Sequence, residues 1–247
     1  MKKYNKWLKE GLSVLGAVLI ALAIRTFIFE PFTIPSPSMY PGLIEGDYII
    51  VNKFGYGVSR HSILFSPEIF KGRFGQYKNL ERGDITVFKN PHDESEYWIK
   101  RLIGFPGDKI QMKNAILHIN GTPVKETRQG EYVFATTGHK ADLIIETLPS
   151  GRNYEILDDN ISRGDNTQEF KIPDDHYFVM GDNRDNSIDS RLDLGFVHRD
   201  YVLGKAEFIL FSNEYSLFNF FNWIMGFRKD RFIKNLYNSS FDKSGTK

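Results

Sequence analysis

The chain has 247 residues, enough for one large all-β domain or two modest ones with a true core. Its 32 Lys+Arg against 31 Asp+Glu leave a formal net charge of +1, so no global field draws nucleic acid or a cationic partner. With no cysteine, thiol catalysis, disulfides and thiolate metal sites are excluded. The six histidines lack metal-ligand spacing such as HExxH, so a metal centre is not expected.

The first ten residues, MKKYNKWLKE, are basic, and Gly11 to Phe29 are apolar apart from Ser13, Arg25 and Thr26. As a helix this run spans roughly 28 Å at about 1.5 Å per residue, close to a hydrocarbon core. A cleaved secretory signal ending at the small residues Ala21 to Ala23 is one reading. Apolar residues continue past that point through Phe29, and Arg25 sits where it can snorkel to headgroups, which favours an uncleaved anchor. Lys2, Lys3, Lys6 and Lys9 precede the span, so the positive-inside rule places residues 1–10 in the cytoplasm. Everything after the 11–29 anchor then faces the periplasm or the cell exterior.

Beyond residue 43 the apolar stretches are short, β-branched or aromatic, and bounded by Gly, Pro, Asp and Asn: DYIIVNKF, GDITVFKN, EYWIKRLIG, DKIQM, AILHING, HYFVMGDN and YVLGKAEFILF. The expected fold is mainly β, an antiparallel sheet core with one N-terminal transmembrane helix before it. Asn120-Gly121 between two apolar runs predicts a type I′ hairpin. The polar, turn-rich 111–172 stretch predicts a smaller β-rich lobe inserted into a core made of residues 30–110 and 173–247. The Gly-rich 55–80 loop carries several aromatics. Ser216 to Phe232 is too short to span a bilayer and reads equally as a core element or an interfacial segment with a basic flank.

Three stretches can carry chemistry. In IPSPSMYPG (34–42), each residue before a proline is pushed toward extended backbone, so Ile34, Ser36 and Tyr40 form a stiff, strand-like exit from the anchor. That is either a linker or a rigid mount for a nucleophilic serine, which needs a base elsewhere. In YWIKRLIGFPGDKI (97–110), strand alternation puts Trp98, Lys100 and Leu102 on one face and Ile99, Arg101 and Ile103 on the other. A lysine between large apolar neighbours, beside another cation, loses proton affinity; brought from about 10.4 to about 8 it is a workable general base, whereas an edge lysine would simply snorkel to water. In GDNRDNSIDSR (181–191), the acidic spacing fails as a calcium loop, because Ser190 stands where Gly is needed and Phe196 where Glu is needed. The stretch is then a polar turn, or a network in which Asp182, Asp189, Arg101 and Arg191 pair while a hydroxyl orients the lysine.

IPSPSMYPGL, RGDITVF (82–88), IKRLIGFPGD (99–108) and GDNRDNSIDSR, in that order after an N-terminal anchor, resemble the successive motifs of bacterial type I signal peptidases. The resemblance implies a membrane-bound Ser/Lys endopeptidase that removes signal peptides from exported preproteins, with no cofactor. By position it implies Ser38 as nucleophile and Lys100 as general base, with the Ser36 hydroxyl and the Ser38 backbone N–H meeting the oxyanion. Ser187 would hydrogen-bond the lysine amine, buttressed by Asp182, Arg101, Asp189 and Arg191. Phe32, Ile34, Pro35, Met39, Leu43, Trp98 and Ile99 would line shallow pockets for small side chains at positions −1 and −3. The implied partners are signal peptides in extended conformation and the lipid bilayer, with neither nucleic acid nor metal. The implied location is the cytoplasmic membrane, crossed once. Pro37 stands where the family often has Gly, removing one backbone donor, and Gly42 where Thr is frequent. Rival readings are a Ser-His-Asp hydrolase, a tethered binding module whose serine stretch is only a linker, and a Ser/Lys protease with one dedicated substrate.

Overall fold

The computed structural model describes residues 2–76, 78–134, 137–159, 162–215 and 225–237. Residues Lys2–Phe27 form helix α1, whose Leu, Ala, Val and Ile content and lack of Pro suit an uninterrupted helix; its apolar side chains are exposed. The segment Lys6–Phe27 is long and apolar enough to cross a membrane. The helix stops short of the Gly11 to Phe29 expectation at its far end, because Phe29 already belongs to a strand.

Strands follow in chain order: β1 (Phe29–Thr33), β2 (Asp47–Asn52), β3 (Tyr56–Val58), β4 (Phe74–Gln76), β5 (Ile85–Asn90), β6 (Asp93–Gly104), β7 (Lys109–Lys113), β8 (Ile116–Ile119) and β9 (Thr122–Pro123). They continue as β10 (Lys125–Val133), β11 (Lys140–Thr147), β12 (Asn153–Asp158), β13 (Phe170–Lys171), β14 (His176–Met180), β15 (Val197–His198), β16 (Val202–Ser212) and β17 (Lys234–Asn235). The fold is mainly antiparallel β, as the alternating sequence predicts.

The large sheet runs β1-β2-β16-β5-β6-β14-β15, with β17 also on β16. Pro31 fits in β1 because β1 is the sheet edge and its missing N–H costs no ladder bond on the open side. Strand β6 lies inside the sheet, pairing Lys100 with Thr86 of β5 and Arg101 with Met180 of β14. Its last six residues are all buried, which is where the site residues sit.

Two smaller sheets, β10-β11-β12 and β13-β7-β8-β9, are built between Lys109 and Lys171. The β8–β9 turn has φ values of 53° at Asn120 and 80° at Gly121, the left-handed pair that a type I′ turn requires. Strand β10 looks polar in sequence because none of its residues is fully buried and only Glu126, Gly130 and Tyr132 are partly covered. These sheets share their core with the large one: Ile110, Met112, Leu117, Val124, Leu148, Tyr154 and Ile156 pack in one cluster with Ile103, Phe178 and Met180. Of the 216–232 stretch, residues 216–224 lie outside the described residues; Met225 and Phe232 are exposed.

Since Phe178 is fully buried at this junction, Phe178→Ala should destabilise the whole chain by about 3–5 kcal/mol. Denaturant unfolding followed by tryptophan fluorescence and by far-UV circular dichroism should give one coincident transition; separate transitions would mean that the lobes fold independently.

Candidate functional site

Ser38 sits in the middle of a one-turn 3-10 helix, Pro37–Met39, flanked by extended Ser36 (φ −140°, ψ 155°) and Tyr40 (φ −61°, ψ 148°). The flanks are extended as the prolines dictate. The centre is not strand-like as expected: Pro37 opens a helical turn, where its fixed φ is suitable and its missing N–H would have no partner anyway. Tyr40 N–H donates to Pro37 O at 3.1 Å, closing the turn, and Leu43 N–H donates to Met39 O at 2.9 Å. Met39 and Leu43 are both fully buried in a cluster with Ile34, Ile49, Val51 and Ile99, so the turn is pinned from beneath.

A second clamp comes from 146 residues away in sequence. Asn183 donates its side-chain Nδ2 to Pro37 O and its backbone N–H to Ser38 O, both at 3.1 Å. Asn183 was readable only as turn material, since nothing in the sequence says which carbonyls it meets.

Lys100 reaches Ser38 from β6, its Nζ 2.8 Å from the Ser38 Oγ. Both residues are buried, at 5% and 7% exposure. The amine also lies 5.6 Å from the centre of the Trp98 ring. Burial pushes Lys100 down from its ordinary value to about 8; Asp189 and Asp182 oppose that shift, and Arg191 adds to it. Ser36 Oγ stands 3.3 Å from Ser38 Oγ.

The expected charged network resolves into separate pairs. Arg101 grips Asp182 with two bonds of 2.7 and 2.6 Å. Arg191 grips Asp189 with bonds of 3.0 and 2.9 Å, and Asp189 in turn accepts the Gly181 N–H at 2.9 Å. Burial alone would raise the Asp189 carboxyl, yet the Arg191 pairing and two backbone N–H groups hold it below its ordinary range. A third pair was not foreseen: Arg184 is bound bidentately by Glu146 of β11, at 2.9 and 2.6 Å, both side chains being fully enclosed. The 111–172 region thus supplies the counter-charge that lets the 181–191 loop fold inward.

Ser187 differs from expectation. Its Oγ is buried without a hydrogen-bond partner among the described residues, and it makes no bond to Lys100. The lysine amine is directed at Ser38, while Ser187 lies against the Gly181 backbone. A Cβ at Gly181 would fall 2.3 Å from Ser187 Oγ and 2.6 Å from Ser38 O, so only glycine permits this approach.

A cleft of about 670 Å³ opens over the pair, walled by Pro35 to Ser38 on one side, Glu96 to Lys100 on another, and Asp185 to Ile188 with Leu192 on a third. Of the expected pocket residues, Pro35, Trp98 and Ile99 line it. Ile34, Met39 and Leu43 do not; they fill the core behind Ile99, because the turn buries their side chains inward. Phe32 is half-buried and packs edge-on against Tyr97, which itself lines the cleft. Among the described residues no histidine hydrogen-bonds Ser38 or Lys100; the His139 ring, for example, pairs with Asp159 at 2.8 Å. Asp158, Asp165 and Asp185 bring carboxylate oxygens within 4.8 Å of one another, an assembly of the end of β12 with two separate loop positions and not a calcium loop.

Removing Glu146 leaves Arg184 charged and enclosed, so Glu146→Ala should cost about 3–5 kcal/mol by chemical denaturation. The double variant Glu146→Met, Arg184→Leu should recover most of that loss. A double-variant cost equal to the sum of the separate Glu146→Met and Arg184→Leu costs would show that the pair is not coupled.

Residues 5–211 match the family described as signal peptidase, peptidase S26. The signal peptidase I of Rickettsia typhi is 42% identical over 260 residues, covering 96% of this chain and 97% of that protein. That of Rickettsia canadensis is 42% identical over 253 residues, covering 94% of each. A signal peptidase I of known structure from Enterococcus faecalis is 30% identical, spans 52% of this chain and 97% of its own, and has a TM-score of 0.33. On the match across residues 5–211 and the near full-length identity with these relatives, the chain belongs to the signal peptidase family, peptidase S26, and is a serine peptidase.

Proposed function

We propose that this chain is a membrane-anchored endopeptidase that cleaves signal peptides from exported preproteins after a small residue, with Ser38 as nucleophile and Lys100 as general base. The observation that carries the reading is the 2.8 Å contact between a buried amine, shifted to about 8, and a serine hydroxyl at the floor of an open cleft. In the neutral form Lys100 takes the Ser38 proton as Oγ attacks the scissile carbonyl, then returns it to the leaving amine. The Ser36 hydroxyl and the Ser38 backbone N–H stabilise the oxyanion. Water, deprotonated by the same amine, releases the acyl group from Ser38.

Asp182, Arg101, Asp189 and Arg191 hold the walls, and their internal pairing leaves no carboxylate for Lys100. Ser187 is one of the residues lining the cleft, and its buried hydroxyl, without a partner among the described residues, orients the amine once acylation removes its Ser38 partner. The substrate lies extended between the Pro35 to Ser38 and Glu96 to Lys100 walls, a strand-addition mode that tolerates varied sequence. Ile99, backed by the filled core of Ile34, Met39 and Leu43, gives the shallow floor that selects small side chains, and Phe32 closes one end through Tyr97. Pro37 donates no N–H, so pairing along that wall relies on its neighbours. Helix α1 crosses the cytoplasmic membrane once, its lysine-bearing N-terminus inside and the cleft on the outer surface.

The deciding assay uses the detergent-solubilised full chain and several unrelated preproteins. Ser38→Ala and Lys100→Met should each lower cleavage by roughly 10⁴-fold or more, while replacing each histidine in turn should not. An inactive histidine variant beside an active Lys100→Met would replace this reading with a Ser-His-Asp hydrolase, and cleavage of a single preprotein would indicate a dedicated protease.

The rate should rise with pH and reach half its maximum near 8, as the amine loses its proton. Lys100 binds its proton less tightly folded than unfolded, so its stability penalty is complete below about 8 and disappears as pH rises toward the unfolded value near 10.4. Lys100→Met should therefore be inactive yet melt higher than the wild type at pH 7, and lose that advantage above pH 10. A rate profile governed by a midpoint near 5 would point to a carboxylate base instead.

Gly181→Ala should fold but cleave roughly tenfold to a hundredfold more slowly, because Ser38 O and Ser187 must both give way. Unchanged kcat in that variant would show that the close approach at Gly181 is not needed for alignment.

A further inference from the structure

The junction of α1 with the sheet contains a charged cluster that the proposed chemistry does not use. Glu30 of β1 and Lys53, which follows β2, are both almost wholly buried. One Glu30 oxygen accepts Arg25 Nε at 2.8 Å and Arg25 Nη2 at 2.7 Å; the other accepts Lys53 Nζ at 3.0 Å. Lys53 Nζ donates further to Arg25 O at 3.0 Å and Ser62 O at 2.8 Å, so all three ammonium hydrogens are satisfied. The backbone adds Lys53 N–H to Ile28 O at 2.8 Å and Ile28 N–H to Ile24 O at 2.8 Å. Arg25 therefore does not simply snorkel: it folds back onto the first strand.

Each part of this arrangement fixes a direction. The Arg25 carbonyl is in the last turn of α1, where a cation is favoured by the helix dipole. Ile28 alone separates α1 from β1, so no flexible linker lies between the span and the sheet. Ser62 belongs to the short 3-10 turn Arg60–Ser62, whose preceding Ser59 hydroxyl donates to Asp200 O at 2.5 Å, tying the cluster to the Arg199–Tyr201 turn that leads into β16. Buried ion clusters are poor sources of stability, since desolvation offsets most of their attraction. In some proteins such a cluster fixes a single geometry, and here the bonded groups relate the membrane span to the strand leading into the Ser38 turn.

We infer that Arg25, Glu30 and Lys53 are positioning residues: they lock the angle between α1 and the sheet, and so set the height of Ser38 above the lipid. The inference rests on the proposed membrane-anchored signal peptidase reading. A substrate held in the same bilayer by its own apolar segment can present a scissile bond only at the height where Ser38 waits. An extended residue advances about 3.3 Å, so a rigid joint resolves single-residue differences between the end of that segment and the cleavage site. A loosened joint would not.

The test uses the full chain in phospholipid vesicles, with preproteins whose apolar segment and cleavage site are separated by successively one more residue, and in parallel a short soluble peptide carrying the cleavage site alone. Wild type should show a sharp optimum in spacing. Glu30→Gln and Lys53→Met should flatten that optimum and cleave the best preprotein roughly tenfold more slowly, while the peptide is cleaved within about twofold of wild type. Arg25→Gln, at a half-exposed residue that leaves the buried pair intact, guards against misfolding and should broaden the optimum by itself. An unchanged spacing profile in folded variants, or preprotein and peptide rates falling together, would overturn the inference and leave the protease intact. A wild type that cleaves no inserted preprotein would overturn the parent reading and this one with it.

Discussion

The site depends on keeping one amine buried beside a hydroxyl with no carboxylate bonded to it. Among the described residues Lys100 forms no ion pair, and its hydrogen bond goes to Ser38. Holding an ammonium at about 8 instead of about 10.4 costs the fold roughly 3 kcal/mol in its charged form. That state survives only if every nearby carboxylate is already committed. Asp182 to Arg101 and Asp189 to Arg191 do this, each through two bonds. Were one arginine missing, a freed carboxylate near Lys100 would restore its charge and weaken it as a base.

This explains why the protein is not simply a sheet with a serine on it. Arg184 of the 181–191 loop is neutralised from β11, so the smaller sheets take part in holding that loop as well as in the shared core. The pairs also bear on geometry. Asp189 holds the Gly181 N–H, Arg184 Nε meets the Gly181 carbonyl at 3.3 Å, and Asn183 grips both carbonyls of the Ser38 turn. The same loop that withholds charge from the lysine therefore sets the position of the serine.

Legibility in the sequence followed the range of the interactions. Strand alternation placed Lys100 between Trp98 and Leu102, and the Asn120-Gly121 turn declared its type, because both are local. The antiparallel β class was legible for the same reason. The first strand was hidden in the anchor, since Phe27, Ile28 and Phe29 are all apolar while the backbone changes from helix to strand at Ile28. In the proline-rich stretch the extended flanks are local and legible, whereas the centre is not, because Pro37 acts there as a helix opener. Asn183 and the Glu146–Arg184 pair had no local signature, their partners being 146 and 38 residues away. The pocket residues were legible as apolar; which of them face the cleft and which face the core depends on how the turn buries Met39.

Ser38 and Lys100 are held by elements of different kinds, and that difference matters to their alignment. Lys100 is on an interior strand bonded on both sides, so its backbone moves only if the sheet does. Ser38 is on a single short turn with no ladder of its own, held by two Asn183 bonds, a proline and the burial of Met39 and Leu43. A short turn held by a few discrete contacts has fewer ways to relax than a long loop, but each contact counts for more. Rigidity at the serine is thus assembled from the 181–191 loop, and that loop is rigid because its charges are buried and paired. The loop whose aspartates are paired to arginines beside Lys100 also makes the contacts that keep Ser38 in reach, so a change to one half of the dyad bears on the other.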